Sequence, residues 1–279
     1  MKKLLLACLL LSFLSCTVRK QTGASDWIQL FNGKDLNDWI IKIKDHPLND
    51  NWGNTFRVED GVLKVRYDAY ENFDRQYGHI YYKQPFTHYL LVMEYRFVGD
   101  QAKGGEGWAL RNSGAMLHCQ PPQTIALTQD FPICLEMQLL GGNGNDPRNT
   151  GNLCTPGTNV VLNDTLFTPH CVNSTSKTFH GDQWVRAEAL VFGDSLMQHI
   201  VEGDTVLSYK QPQYDQQDDW VKKAGYKGGD LIHGGYISLQ SESHPVEFRN
   251  VRLFNLEPYK NNPAKLKQIL KQLQERKSE

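Results

Sequence analysis

What this 279-residue chain lacks narrows its class first. Acids and bases nearly cancel, 31 Asp and Glu against 30 Lys and Arg for a formal charge of −1, and no basic stripe gathers anywhere. That removes nucleic acid as a partner. Past the N-terminus no apolar run is long enough to cross a bilayer as a helix. Only six cysteines are present, none in a Cys-x-x-Cys pair, which argues against a structural zinc site. Strands do not alternate with helices, so βαβ units and a dinucleotide-binding sheet are excluded. The glycines of "GGEG" and "GGNGNDPRN" do not lead from a strand into a helix, which leaves a phosphate loop without support. The EF-hand pattern is missing too, so Asp146 is a weak calcium candidate.

What is present begins with "MKKLLLACLLLSFLSC", two lysines followed by an apolar run too short to span a membrane and small residues before Cys16. This predicts a secretory signal over residues 1–15. The ending "FLSC" resembles a bacterial lipoprotein processing site, although Phe13 stands where leucine is usual; ordinary signal cleavage nearby is the alternative. The expectation is a bacterial envelope protein, lipid-anchored at Cys16 to the outer or inner membrane. It would face the periplasm or the surface, with residues 16–26 as a tether. In such an oxidising compartment Cys154 and Cys171, which bracket a polar loop, are expected to form a disulfide. Cys119 and Cys134 offer a second pairing, and connectivity stays open.

The body reads as many short strands, among them "FRVEDGVLKVR", "HYLLVMEYRFV", "ICLEMQLL", "WVRAEALVF", "GYISLQSES" and "VEFRNVRLFN". Period-two alternation punctuated by Asp-Gly, Gly-Asp and Gly-Gly predicts an all-β antiparallel sandwich over residues 27–258. Residues 259–279 read as a closing helix, because Leu266, Ile269, Leu270 and Leu273 make one apolar stripe suited to packing on the domain. Gly141 to Asp182 reads as a long irregular segment, and loops of that length tend to be functional.

Several stretches occur together in a telling order: "LFNGKDLNDW", "VEDGVLKV", "LRNSGAMLH", "CLEMQLLGG", "HGDQW", "GGYISLQSES" and "VEFRNVRLF". From about Trp27 to Phe254 the chain resembles the 3-keto-disaccharide hydrolase family. The resemblance implies a concanavalin-like β-sandwich, or jelly roll, with its site on the concave sheet. It also implies action on glycosides whose C3 hydroxyl has become a ketone.

The residues allow a test of that chemistry. Sandwich-fold glucanases carry Glu-x-Asp-x-x-Glu along one strand, because ordinary glycosidases need two carboxylates. Here the strand offers Glu136, Gln138 and Leu140, so Glu136 stands alone unless Glu242 joins it from another strand. A 3-keto sugar needs less. Its ketone acidifies the C2 proton, so one base can form an enolate, expel the C1 leaving group and let water add back. Glu136 as base, Arg111 as electrophile at the ketone and His118 or His170 as acid would suffice. No cofactor is certain; a divalent cation could replace Arg111. Gln138, Gln240, Glu242, His244 and Trp108 are candidates to bind the carbohydrate substrate, the first four from strand faces and Trp108 by stacking.

Each has a plain competitor. Glu136 can pair with Arg111, Arg111 can anchor the Asn112-Ser113-Gly114 turn, and His118 can be a satisfied half-buried histidine. His170 can be a solvated loop residue, and Gln240, Glu242 and His244 can form an exposed strand face. Two rival functions remain, a conventional glycoside hydrolase using Glu242 and a non-catalytic carbohydrate-binding module.

Overall fold

The computed structural model describes residues 27–275; the expected signal segment, Cys16 and its tether lie outside them. In chain order the first strands are β1 (Trp27–Gln29), β2 (Trp39–Ile43), β3 (Phe56–Glu59), β4 (Val62–Val65), β5 (Gly78–Tyr82) and β6 (His88–Phe97). Then come β7 (Asn112–Cys119), β8 (Leu135–Leu140), β9 (Asn152–Cys154), β10 (Thr158–Leu162), β11 (Thr165–Phe167) and β12 (Cys171–Val172). The last are β13 (Val185–Phe192), β14 (Leu196–Val201), β15 (Asp204–Tyr214), β16 (Tyr236–Ser241) and β17 (Val246–Asn255), with helices α1 (Asp219–Ala224) and α2 (Pro263–Glu275).

These strands form two antiparallel sheets. One runs β11-β10-β15-β14-β13-β6-β17-β4-β3 with β1 also on β17, and the other β12-β9-β8-β7-β16-β5-β2. The architecture is the expected concanavalin-like sandwich. Alternation explains its core. Leu135, Met137 and Leu139 of β8 are fully buried between the sheets, where they meet residues such as Leu91, Met93, Ala187 and Leu239. Each such side chain contributes about 1.5–3 kcal/mol of apolar burial. Glu136 and Gln138 therefore emerge on the other face of β8, the outer face of the seven-stranded sheet.

The stripe of α2 packs on the outside of the ten-stranded sheet, where Ile269 and Leu273 join Leu90, Val92, Phe254 and Leu256. In β6 the same alternation sends Leu91 inward and Leu90 and Val92 outward to the helix.

Three expectations are corrected. The segment from Gly141 to Asp182 is not irregular throughout: it holds β9 to β12 and is threaded through both sheets. Of these, β10 falls on "NVVLN", which does read as a strand, whereas β9, β11 and β12, of two or three residues, are too short to stand out from turn-rich sequence. A second helix, α1, is present, with Asp218 Oδ1 accepting from Val221 N at 2.9 Å and Gly225 ending it in the left-handed region at φ 78°. Cys119 and Cys134 are free and buried in an apolar cluster with Tyr81 and Met116. Burial pushes the Cys134 thiol up, which keeps it neutral and unreactive.

Candidate active site

The outer face of the seven-stranded sheet carries a row across six strands that is polar except at Gly114. Asn152 of β9 pairs with Gln138 of β8, and Gln138 with Gly114 of β7. The register of β7 with β16, where Leu239 meets Ala115, sets Gln240 opposite Gly114. Gln240 pairs with His79 of β5, and His79 with Lys42 of β2. One pleat away the row is Cys171, Cys154, Glu136, Met116, Ser238 and Tyr81. Polar and apolar halves of the face meet at Glu136.

Over this boundary lies a cavity of about 390 Å³, within the roughly 300–1,000 Å³ typical of small-molecule sites. The polar residues Glu136, Gln138, Asn112 and Glu242 line it, together with Trp108, Phe131, Pro156, His170 and the Cys154–Cys171 pair. Those two cysteines face each other across β9 and β12 and are joined, with Cα atoms 4.1 Å apart.

Glu136 reaches into this space because β7 has no side chain at Gly114. A Cβ there would come within 2.6 Å of Glu136 Oε1 and 2.8 Å of its Cγ, closer than atoms pack. The glutamate therefore lies over the β7 backbone toward β16. There Gln240 Nε2 donates to Glu242 Oε1 at 3.4 Å, a long bond. Gln138 is held by Asn152, whose Nδ2 donates to its Oε1 at 3.0 Å.

Electrostatics separate the two acids. Burial raises Glu136 from 4.5 to about 8. Glu242 is raised well above the usual range, first by burial and then by the charges of Glu136 and Glu106. Between two acids in one dry site, at least one proton stays at neutral pH. Glu242, deeper and beside two other carboxylates, is the one that keeps it. Glu242 Oε2, Asn112 Oδ1 and the neighbouring Gln240 Oε1 are buried without a hydrogen-bond partner. Such atoms are costly unless a ligand hydroxyl satisfies them.

The sequence candidates divide accordingly. Glu136, Gln138, Glu242, Trp108 and His170 line the cavity. Trp108 is 53% exposed there, as a stacking surface would be, whereas Trp39 is core and Trp52 stacks on His46. Gln240 stands just behind Glu242.

Arg111, His118 and His244 are not brought there. The Arg111 guanidinium donates to Gly181 O at 2.9 Å and to Asp182 Oδ1 at 3.3 Å, tying two loops together; it does not pair with Glu136. At His118 the register between β7 and β16 slips, and the residue takes φ 50°. This bulge breaks the alternation and turns the ring inward to Tyr89, with Nε2 at 3.1 Å from Gly193 O. The positive φ of Ser243 (87°) does the same after β16, and His244 packs on Phe97 instead.

Glu136 is also not alone, as the sequence had suggested, because Glu242 shares its cavity. Sequence reasoning missed Asn112, Phe131 and Glu106. Glu106 accepts from Tyr77 OH at 2.8 Å behind the site; its only signal was an acid within "GGEG". Among the described residues no three His, Cys, Asp or Glu side chains converge as a metal site would require.

Residues 26–253 match the 3-keto-alpha-glucoside-1,2-lyase-like domain. The chain belongs to that family. Membership sets the class of chemistry as glycoside cleavage and the ligand class as carbohydrate. Among solved structures, a candidate glycosyl hydrolase of Parabacteroides distasonis ATCC 8503 is similar with TM-score 0.50 and 20% identity, over 84% of this chain and 95% of that one. At that identity the likeness is one of fold. More distant are a β-glucanase of Bacillus licheniformis (TM-score 0.43, 12% identity, 84% and 99% covered) and the carbohydrate-binding module CBM66 of Bacillus subtilis (0.41, 9%, 77% and 94%). Among curated proteins none matches significantly.

Proposed function

We propose that this family member cleaves 3-keto-glycosides, 3-keto-disaccharides among them, by deprotonation at C2, elimination and hydration. The observation that carries this is the pair of buried carboxyls with both pKa values raised. A retaining glycosidase uses as nucleophile a carboxylate that is a stable, weakly basic anion at neutral pH; here burial leaves Glu136 to ionise only near 8, so its anion is a strong base instead. An enolising enzyme needs a strong base beside a hydrogen-bond donor, which a carboxyl raised to about 8 and a second held protonated supply.

In this scheme ionised Glu136 takes the C2 proton, and the electrons of that bond form the C2–C3 double bond with the charge on the C3 oxygen. Glu242, as neutral acid, donates a hydrogen bond to that oxygen, the role the sequence had given to Arg111. The C1–O bond then breaks, the ketone re-forms, and the departing oxygen takes a proton from His170 at the cavity rim. Water adds at C1 and gives up a proton to His170, restoring it, while Glu136 returns its proton to C2, so the balance is hydrolysis; release before that step makes the protein a lyase. Gln138 and Asn112 hold hydroxyls, and Trp108 offers a ring face.

The test is exchange. Incubated in heavy water with a 3-keto-glucoside, the protein should place deuterium at C2, and Glu136→Gln should lower turnover by about 10²–10⁴-fold with substrate still bound. One specific observation favours a second scheme, a conventional two-carboxylate glycosidase: Glu136 and Glu242 share one cavity. Hydrolysis of an unoxidised glucoside with no label at C2 would establish it. Undiminished activity in the glutamine variant would remove both schemes.

A further inference from the structure

Phe131, Pro156 and His170 also line a second, adjoining cavity of about 320 Å³, together with Asp130, Asp215, Asp218 and Trp220. We propose that this second cavity is the subsite of the leaving group, and that the group it takes is an uncharged second sugar ring. The inference rests on the cleavage chemistry above and adds where the departing half of the substrate is held.

Two observations support it. The first is contiguity: the cavities meet at His170, so a substrate occupying both sets its glycosidic oxygen at the seam, beside the group that would protonate it. The second is construction. The chain leaves the ten-stranded sheet after β15 and enters the seven-stranded sheet only at β16, and α1, within that excursion, carries Trp220 to the cavity. The excursion is locked down. Val221 is buried, Asp215 N donates to Gly157 O at 3.0 Å, and Gly157 lies so close that a Cβ would meet Ile133 at 3.0 Å and Val221 at 3.2 Å.

Its chemistry suits a polyol. Asp215 and Asp218 each engage Oδ1 with a backbone N–H, of Gln217 and Val221 respectively, and can accept sugar hydroxyls at the other oxygen. Trp220 provides an apolar ring surface, with the Lys223 ammonium 4.2 Å from its centroid. Asp130, also in the lining, is neutralised by Lys44 and Arg75, whereas Asp215 and Asp218 keep their charge facing the cavity and repel a phosphorylated or uronic leaving group, so neutral sugars are selected.

The test compares a 3-keto-disaccharide with methyl 3-keto-glucoside, which fills only the first cavity. In Trp220→Ala the ratio of kcat/KM for the disaccharide to that for the methyl glycoside should fall up to about tenfold, the scale of one lost aromatic contact. Thr168→Tyr, at the exposed rim of the second cavity, should shift the ratio the same way by filling the space. An unchanged ratio in both variants overturns the subsite while the cleavage chemistry stands. Wild-type protein that cleaves neither 3-keto substrate overturns the chemistry and the subsite with it.

Discussion

Replacing Glu136 with glutamine should cut turnover by about 10²–10⁴-fold and, at alkaline pH, make the protein more stable. The side chain is 7% exposed and titrates near 8 when folded, against 4.5 when solvated. Below pH 4.5 folded and unfolded chains both hold the proton, and the group costs little. Between 4.5 and about 8 the unfolded chain releases it and the folded chain keeps it, so stability falls as pH rises. At about 1.36 kcal/mol per pH unit the loss reaches roughly 5 kcal/mol by the upper end. Glu136→Gln removes this slope and keeps the shape. Chemical unfolding of both proteins from pH 4.5 to 8.5 should show near-equal stability in acid and a growing advantage for the variant. In a melting experiment a gap of that size is roughly 10–20 °C for a domain of this length. A variant no more stable than wild type at pH 8.5, or one with the same pH slope, refutes the claim that burial holds this carboxyl up. Stability given up for a reactive group is the trade expected of a functional residue.

Two further outcomes concern cysteines. The double variant Cys154→Ala/Cys171→Ala opens a cross-link spanning 17 residues and should lose about 3 kcal/mol. Because the bridge also forms cavity wall, KM should rise, and unfolding curves with steady-state kinetics that match wild type would count against both roles. We also propose that Cys16 carries a lipid anchor: Cys16→Ala should move the protein from the membrane to the soluble fraction, and identical partitioning would end that assignment.

The sandwich was legible because alternation is a local property: Leu135, Met137 and Leu139 announce a buried face, and Glu136 and Gln138 the other. The stripe of α2 was legible for the same reason. The alliance of Glu136 with Glu242 was not, since it depends on the pairing of β8, β7 and β16, which lie far apart in the chain. His118 and His244 misled because alternation was carried through a bulge and a left-handed residue that leave no clear mark in sequence. The α1 helix did leave one, Asp218 at its start and Gly225 at its end, but six residues are too few for a periodic pattern to form.

Gly114 has a consequence for how such sequences diverge. Its missing Cβ is the space that Glu136 occupies, so the two positions are chemically one unit written on two strands. A relative that keeps the glutamate has no freedom at the glycine, where even a methyl group collides with the carboxylate. A relative that has given up the acid is released from that constraint and can accumulate alanine or serine there. Glycine and glutamate should therefore be kept or lost together across the family. A sequence holding one without the other would mark a protein on its way out of catalysis.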